Sequence, residues 1–176
     1  TVYAEAPGSV AAPTAGLDFT ERLLDELKER GHQLEFVTLH VGLGTFQPIR
    51  VENIEKHSMG SESYEITTAT ASLINQAKET GRKIVAVGTT TTRALEASAQ
   101  ADGRLSSGHR TTDLFIVPGY KFKIVDALIT NFHLPRSTLL LLVSAFGGWD
   151  RISAAYKAAV IQRYKFFSYG DAMLIS

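Results

Sequence analysis

Ile124-Val125-Asp126-Ala127-Leu128-Ile129, then Thr130-Asn131-Phe132-His133-Leu134-Pro135-Arg136-Ser137-Thr138, then Leu139-Leu140-Leu141-Leu142-Val143-Ser144-Ala145-Phe146 form the stretch whose reading decides the fold. An apolar β-like run hands over to an apolar helix-like run through nine residues dense in hydrogen-bonding side chains. A simple connector has no need of Asn, His, Arg, Ser and Thr beside a chain-stiffening proline. In an α/β sheet, polar side chains at strand ends are where ligands are met.

The same grammar recurs along the chain. Val37-Thr38-Leu39-His40-Val41 leads into Gly42-Leu43-Gly44-Thr45-Phe46, and Ile84-Val85-Ala86-Val87-Gly88 leads into Thr89-Thr90-Thr91-Thr92-Arg93. Gly and Thr also serve as ordinary strand-to-helix punctuation. Repetition at three strand ends favours one shared pocket, with the three loops on one edge of the sheet.

Outward from these strands, Phe19, Leu23, Leu24 and Leu27 predict a helix over Gly16 to Arg30, with Gly31 as its stop. Strands are expected at Leu34 to Val41, Glu62 to Ile66, Lys83 to Val87, Leu114 to Val117 and Ile124 to Ile129, with Ala172 to Ile175 as a closing strand. Helices are expected at Thr68 to Thr80, Thr91 to Gln100, Thr138 to Phe146 and Asp150 to Tyr164. Ala101 to Thr112 mixes Gly, Ser, Arg and His without periodicity and reads as a mobile loop. Alternating helix and strand imply an α/β, layered, Rossmann-like domain with a mainly parallel sheet flanked by helices.

The chain has 176 residues, which suits a single α/β domain over 1–176. The apolar run at Leu139 to Val143 is far short of the ~18 residues that span a bilayer, and a signal-peptide pattern is lacking at the start, so no membrane partner is expected. A cytoplasmic location follows as the expectation. With no cysteine there is no thiolate nucleophile and no cysteine zinc site, and His32, His57 and His109 show no metal-ligand spacing. Net charge is zero, but residues 1–103 carry 9 Lys/Arg against 14 Asp/Glu and residues 104–176 carry 9 against 4, formal charges of −5 and +5. The C-terminal part can therefore offer phosphates a basic surface, or simply be a solvated face.

Gly42-Leu43-Gly44-Thr45-Phe46-Gln47 has Gln where a dinucleotide fingerprint has its third glycine. A Rossmann-like nucleotide-cofactor oxidoreductase is thus a weaker reading. His40 and His133 are the candidate acid or base residues, with the alternative for His40 of a satisfied core histidine. Phe166 to Leu174 adds two aromatics and a Tyr169-Gly170-Asp171 corner able to stack a base and pair with a cation.

Six motifs in order, Val10-Ala11-Ala12-Pro13-Thr14-Ala15-Gly16-Leu17, His40 to Phe46, Val87 to Thr90, Pro118-Gly119-Tyr120, Thr130 to Pro135 and Phe167 to Met173, resemble the S-adenosylmethionine:tRNA ribosyltransferase-isomerase family of queuosine biosynthesis. The resemblance covers nearly the whole chain. It implies the C-terminal α/β portion of a longer two-domain enzyme, without its N-terminal part and β-barrel region. It further implies transfer and isomerisation of the ribosyl unit of S-adenosylmethionine onto a 7-aminomethyl-7-deazaguanine in tRNA, giving epoxyqueuosine and releasing adenine and methionine. S-adenosylmethionine is then a substrate, with no separate cofactor and no metal; tRNA carrying the 7-deazaguanine precursor is the partner.

On that resemblance His133 and His40 are the catalytic candidates. Gly42, Gly44, Thr45, Phe46, Thr89, Thr90, Asn131, Tyr169 and Asp171 are substrate contacts, and Arg93 and Arg136 are anion anchors. The family commonly has His where this chain has Asp18 and Gly60. A non-catalytic tRNA-binding module is the other alternative.

Overall fold

The computed structural model describes residues 1–42, 54 and 57–176. A 3-10 turn at Thr14–Asp18 precedes helix α1, Glu21–Glu29. Thr20 separates the two because its side chain accepts the Leu23 N–H at 3.2 Å and starts a new helix there. The single helix expected over Gly16 to Arg30 is therefore a turn plus a shorter helix.

Strands β1 (Thr38–His40), β2 (Glu62–Ile66) and β4 (Gly108–Thr112) make one sheet in the order β1-β2-β4, with both pairings antiparallel. Strands β3 (Val85–Val87), β5 (Ala127–Asn131) and β6 (Ala172–Ile175) make a second sheet in the order β3-β5-β6. There β3 and β5 are parallel, and β6 runs antiparallel to β5. Helices α2 (Thr68–Glu79), α3 (Thr89–Ala97), α4 (Thr138–Gly147) and α5 (Trp149–Ile161) complete the described elements.

The described residues are thus mixed α/β with two small sheets, which corrects the expectation of one mainly parallel layer. Two local causes account for the difference. β4 lies where a mobile loop was expected: its side chains are mostly exposed, so it carries no apolar alternation, yet its backbone pairs with β2 from Glu62↔Thr112 to Ile66↔Gly108. The second cause is Glu96, a buried carboxylate on α3. It accepts the backbone N–H groups of Lys123 (2.8 Å), Ile124 (2.9 Å) and Val125 (3.0 Å), and the Tyr120 hydroxyl at 3.3 Å. Ile124 and Val125 are buried apolar residues, as the pattern suggests, but these donors are bound by a side chain rather than a neighbouring strand. β5 accordingly begins at Ala127 rather than Ile124, and Leu114 to Val117 is irregular chain despite its buried Ile116.

One core joins the two sheets. Tyr64 and Ile66 from β2, Ala71 and Ile74 from α2, Ala94 and Leu95 from α3, Leu128 from β5, and Leu142 and Val143 from α4 pack together. Tyr64 also exchanges a hydrogen bond with Ser98 at 2.8 Å, which pairs its hydroxyl inside that core.

Candidate active site

The parallel β3/β5 pair sets two chain turns side by side. Val87 lies opposite Ile129, and the Gly88 N–H donates to the Ile129 carbonyl at 2.8 Å, so α3 starts against the end of β5. Gly88 takes φ 93°, a left-handed value that glycine adopts without strain, and it provides no side-chain cap to α3.

A third wall comes from the N-terminal lead-in. Val41 accepts from the Val10 N–H at 3.2 Å and donates its own N–H to Ser9 Oγ at 3.1 Å. This strap carries Ala12 to Ala15 onto the same edge. Ala12, Pro13, Thr14, Ala15, Val41, Gly88, Thr89, Thr90, Thr130, Asn131, His133, Leu139, Phe167 and Ser168 line one cleft of about 40 Å³. Two of the polar loops, at Gly88 to Thr90 and at Thr130 to His133, meet there beside Val41 from the chain just after β1; beyond Gly42 the first loop lies outside the described residues.

Within the cleft, His133 is buried and its Nε2 lies 2.9 Å from Thr130 Oγ1. Its backbone N–H donates to the Tyr156 hydroxyl at 2.9 Å. Burial pushes the imidazole pKa down to about 4, so the ring is neutral at neutral pH. Burial likewise pushes the Tyr156 phenol up to about 12, which keeps it protonated. Asn131 is 2% exposed, and its amide NH2 faces Asp18 Oδ2 (3.3 Å), the Gly170 carbonyl (3.3 Å) and the Asp171 carbonyl (3.5 Å). Those three acceptors fix which way the amide points. Its Oδ1 is buried without a hydrogen-bond partner among the described residues.

Arg93 is elsewhere. It is 2% exposed, with Nη1 on Glu62 Oε2 at 2.5 Å and Nε on the Leu114 carbonyl at 3.0 Å. Burial pulls its pKa below the ordinary arginine value, and the Glu62 carboxylate opposes that shift. The expected anion anchor is a buried pair between α3 and β2 instead. Arg136 is exposed at φ 57° and is not in the cleft wall; Tyr169 is 90% exposed. The Asp171 carboxylate accepts from the Lys165 N–H at 2.6 Å and braces its own turn. His40 is half-buried outside the lining, and a Cβ on Gly8 would sit 3.1 Å from its Nδ1. Gly42 is likewise outside the lining, while Gly44, Thr45 and Phe46 lie outside the described residues.

Thr130 and the Pro13 segment join the cleft without having been named as substrate contacts, and Phe167, one of the two adjacent aromatics, joins it too. Phe166 packs with Phe132 at a ring-centroid distance of 5.1 Å, and Phe132 also meets Tyr156 at 5.3 Å. Phe167 instead adopts φ 71°, stays 41% exposed, and donates its N–H to the Phe132 carbonyl at 2.9 Å. The turn at 165–171 that holds it depends on Gly170, where a Cβ would lie 2.5 Å from the Lys165 carbonyl oxygen. Gly170→Ala is expected to destabilise the chain by about 1–3 kcal/mol, because the clash is with backbone. Thermal unfolding checks this, and an unchanged midpoint would show that the turn can shift freely.

Among the described residues, no group of three or more His, Asp or Glu could hold a metal ion, and no helix is long and apolar enough to cross a membrane. The family described as "Queuosine biosynthesis protein" matches residues 1–175. The chain belongs to that family. It is 58% identical over 175 residues to an S-adenosylmethionine:tRNA ribosyltransferase-isomerase of Halothermothrix orenii, covering 99% of this chain and 51% of the relative. A relative of the same name from Herminiimonas arsenicoxydans is 60% identical over 176 residues, covering 100% and 51%. A crystal structure of the S-adenosylmethionine tRNA ribosyltransferase of Thermotoga maritima superposes with a TM-score of 0.75 at 47% identity, covering 92% of this chain and 51% of that one. The chain spans about half the length of the curated relatives it matches.

Proposed function

We propose that this member of the queuosine family acts in S-adenosylmethionine:tRNA ribosyltransfer and isomerisation, and that the cleft between the starts of α3 and α4 receives the S-adenosylmethionine. The observation that carries the reading is the convergence of Gly88 to Thr90, Thr130 to His133 and the Pro13 segment on one cleft. The names of its relatives support it.

Ribosyl transfer from a sulfonium donor needs a group that removes a proton from the acidified carbon beside sulfur, and donors that receive the departing adenine. Neutral His133 has a lone pair available at neutral pH. Thr130 holds its ring by one hydrogen bond and Tyr156 holds its backbone by another, so the imidazole is angled by its surroundings. Its depressed pKa makes it a weak acceptor alone, which favours a role in relaying a proton or bonding to the leaving base. Arg136, Lys121 and Lys123 are exposed and give the tRNA phosphates a basic surface. With tRNA as acceptor, the same reading places the protein in the cytoplasm. S-adenosylmethionine serves as substrate, and no separate cofactor is called for.

The test is adenine release from S-adenosylmethionine by the protein at its full natural length, with and without tRNA bearing the 7-deazaguanine precursor. Release that depends on that tRNA, matched by conversion of its base, is the expected result. His133→Gln should lower turnover by roughly a hundredfold, the scale for losing a proton-transfer group. Absence of release with the precursor tRNA would sink the proposed activity; normal turnover in the variant would leave His133 a structural residue.

A further inference from the structure

The cleft leaves two complementary hydrogen-bonding needs open. Thr89, Thr90 and Thr91 are the first residues of α3, whose geometry leaves their N–H groups without intrahelical acceptors. Gly88 supplies no side-chain cap, so among the described residues those donors stay open where Gly88, Thr89 and Thr90 line the cleft. On the same cleft wall is Asn131, 2% exposed, whose Oδ1 has no donor among the described residues. One end therefore offers a partial positive charge, and the other an acceptor whose amide neighbours the Asp18 carboxylate at 3.3 Å.

Among the described residues of the lining, no charged side chain competes with those N–H groups for an anion. Arg93 is tied to Glu62, Arg136 is outside the lining, and His133 is neutral. The enclosed space is small, about 40 Å³ against the ~10–15 Å³ that holds one water, which suits a compact head group.

We propose that the start of α3 and Asn131 form a subsite for an α-amino carboxylate, the carboxylate resting on the Thr89–Thr91 N–H groups and the ammonium donating to Asn131 Oδ1. This inference rests on the reading of S-adenosylmethionine as substrate and assigns its methionine end, and not its adenine, to the closed part of the cleft. The purine then lies toward the mouth, where Phe167 is exposed.

Calorimetric titration of the protein at its full natural length tests the assignment with three ligands: S-adenosylmethionine, its decarboxylated analogue and its deaminated analogue. Each analogue loses one charged hydrogen-bonding group and should bind about tenfold or more weakly, the usual scale for such a loss. Thr89→Pro removes one donor at the first helical position, where proline is tolerated and the preceding Gly88 has a compatible ψ of 146°. It should weaken S-adenosylmethionine and the deaminated analogue, and leave the decarboxylated analogue unaffected. Binding of either analogue within twofold of S-adenosylmethionine would overturn the subsite while the substrate reading stands. Failure of S-adenosylmethionine to bind at all would overturn both. The analogue comparison uses the unaltered protein, so it decides the matter even if Thr89→Pro misfolds.

Discussion

Replacing Arg93 by alanine is expected to lower the free energy of unfolding by about 3–5 kcal/mol, the scale for breaking one side of a buried ion pair. Both partners are 2% exposed, and the Nη1–Oε2 distance is 2.5 Å. Removing the guanidinium takes a buried positive charge from beside the Glu62 carboxylate and a donor from the Leu114 carbonyl, while α3 loses its tie to β2. Urea denaturation should show a lower midpoint at an unchanged slope. A double variant, Arg93→Met with Glu62→Leu, should recover much of the loss, because an apolar pair of similar volume needs no compensating charge. Wild-type stability in Arg93→Ala, combined with loss of ligand binding, would return Arg93 to the role of anion anchor.

The second large effect depends on pH. His133 has a folded pKa of about 4, whereas an unfolded imidazole titrates near 6.5. Between those values the unfolded chain binds more protons than the folded one, so stability falls as pH falls. The contribution is fully present above pH ~6.5, is lost progressively toward pH ~4, and amounts to roughly 3 kcal/mol for a shift of this size. His133→Gln keeps a hydrogen-bonding side chain and removes the titration. Unfolding free energies of the two proteins at pH 7 and pH 4.5 should therefore converge at the lower pH relative to their difference at neutrality. Parallel pH profiles would mean that the imidazole is solvated in the folded protein.

Local signals carried the elements that their own residues decide. α2 and β2 lie where apolar spacing puts them, and Ser137 caps α4 by accepting the Leu140 N–H at 3.2 Å. The polar loops after β3 and β5 were legible for a similar reason: a run of threonines, or Asn-Phe-His-Leu-Pro, has no explanation in packing alone. The family was legible because six short motifs recur in one order over nearly the whole length.

Other outcomes depended on partners distant in sequence. Nothing near Arg93 reveals that Glu62, 31 residues away, takes its charge. Gly108–Thr112 is a strand because β2 accepts it, although its exposed side chains show no apolar alternation. Lys123 to Val125 are kept from pairing as a strand by Glu96, 27 to 29 residues earlier. Phe166 and Phe167 are neighbours with the same side chain, yet a left-handed backbone at Phe167 sends one to an aromatic cluster and leaves the other at the cleft. The sequence by itself determined most of the helices, the β2 strand, which loops are dense in polar side chains and which family the motifs resemble, because periodicity, capping and motif order are properties of neighbouring residues. Only the tertiary structure decided sheet pairing, the partner of each buried charge and which polar atoms remain open to a ligand, because hydrogen bonds and desolvation are settled by whatever the fold brings within about 3 Å.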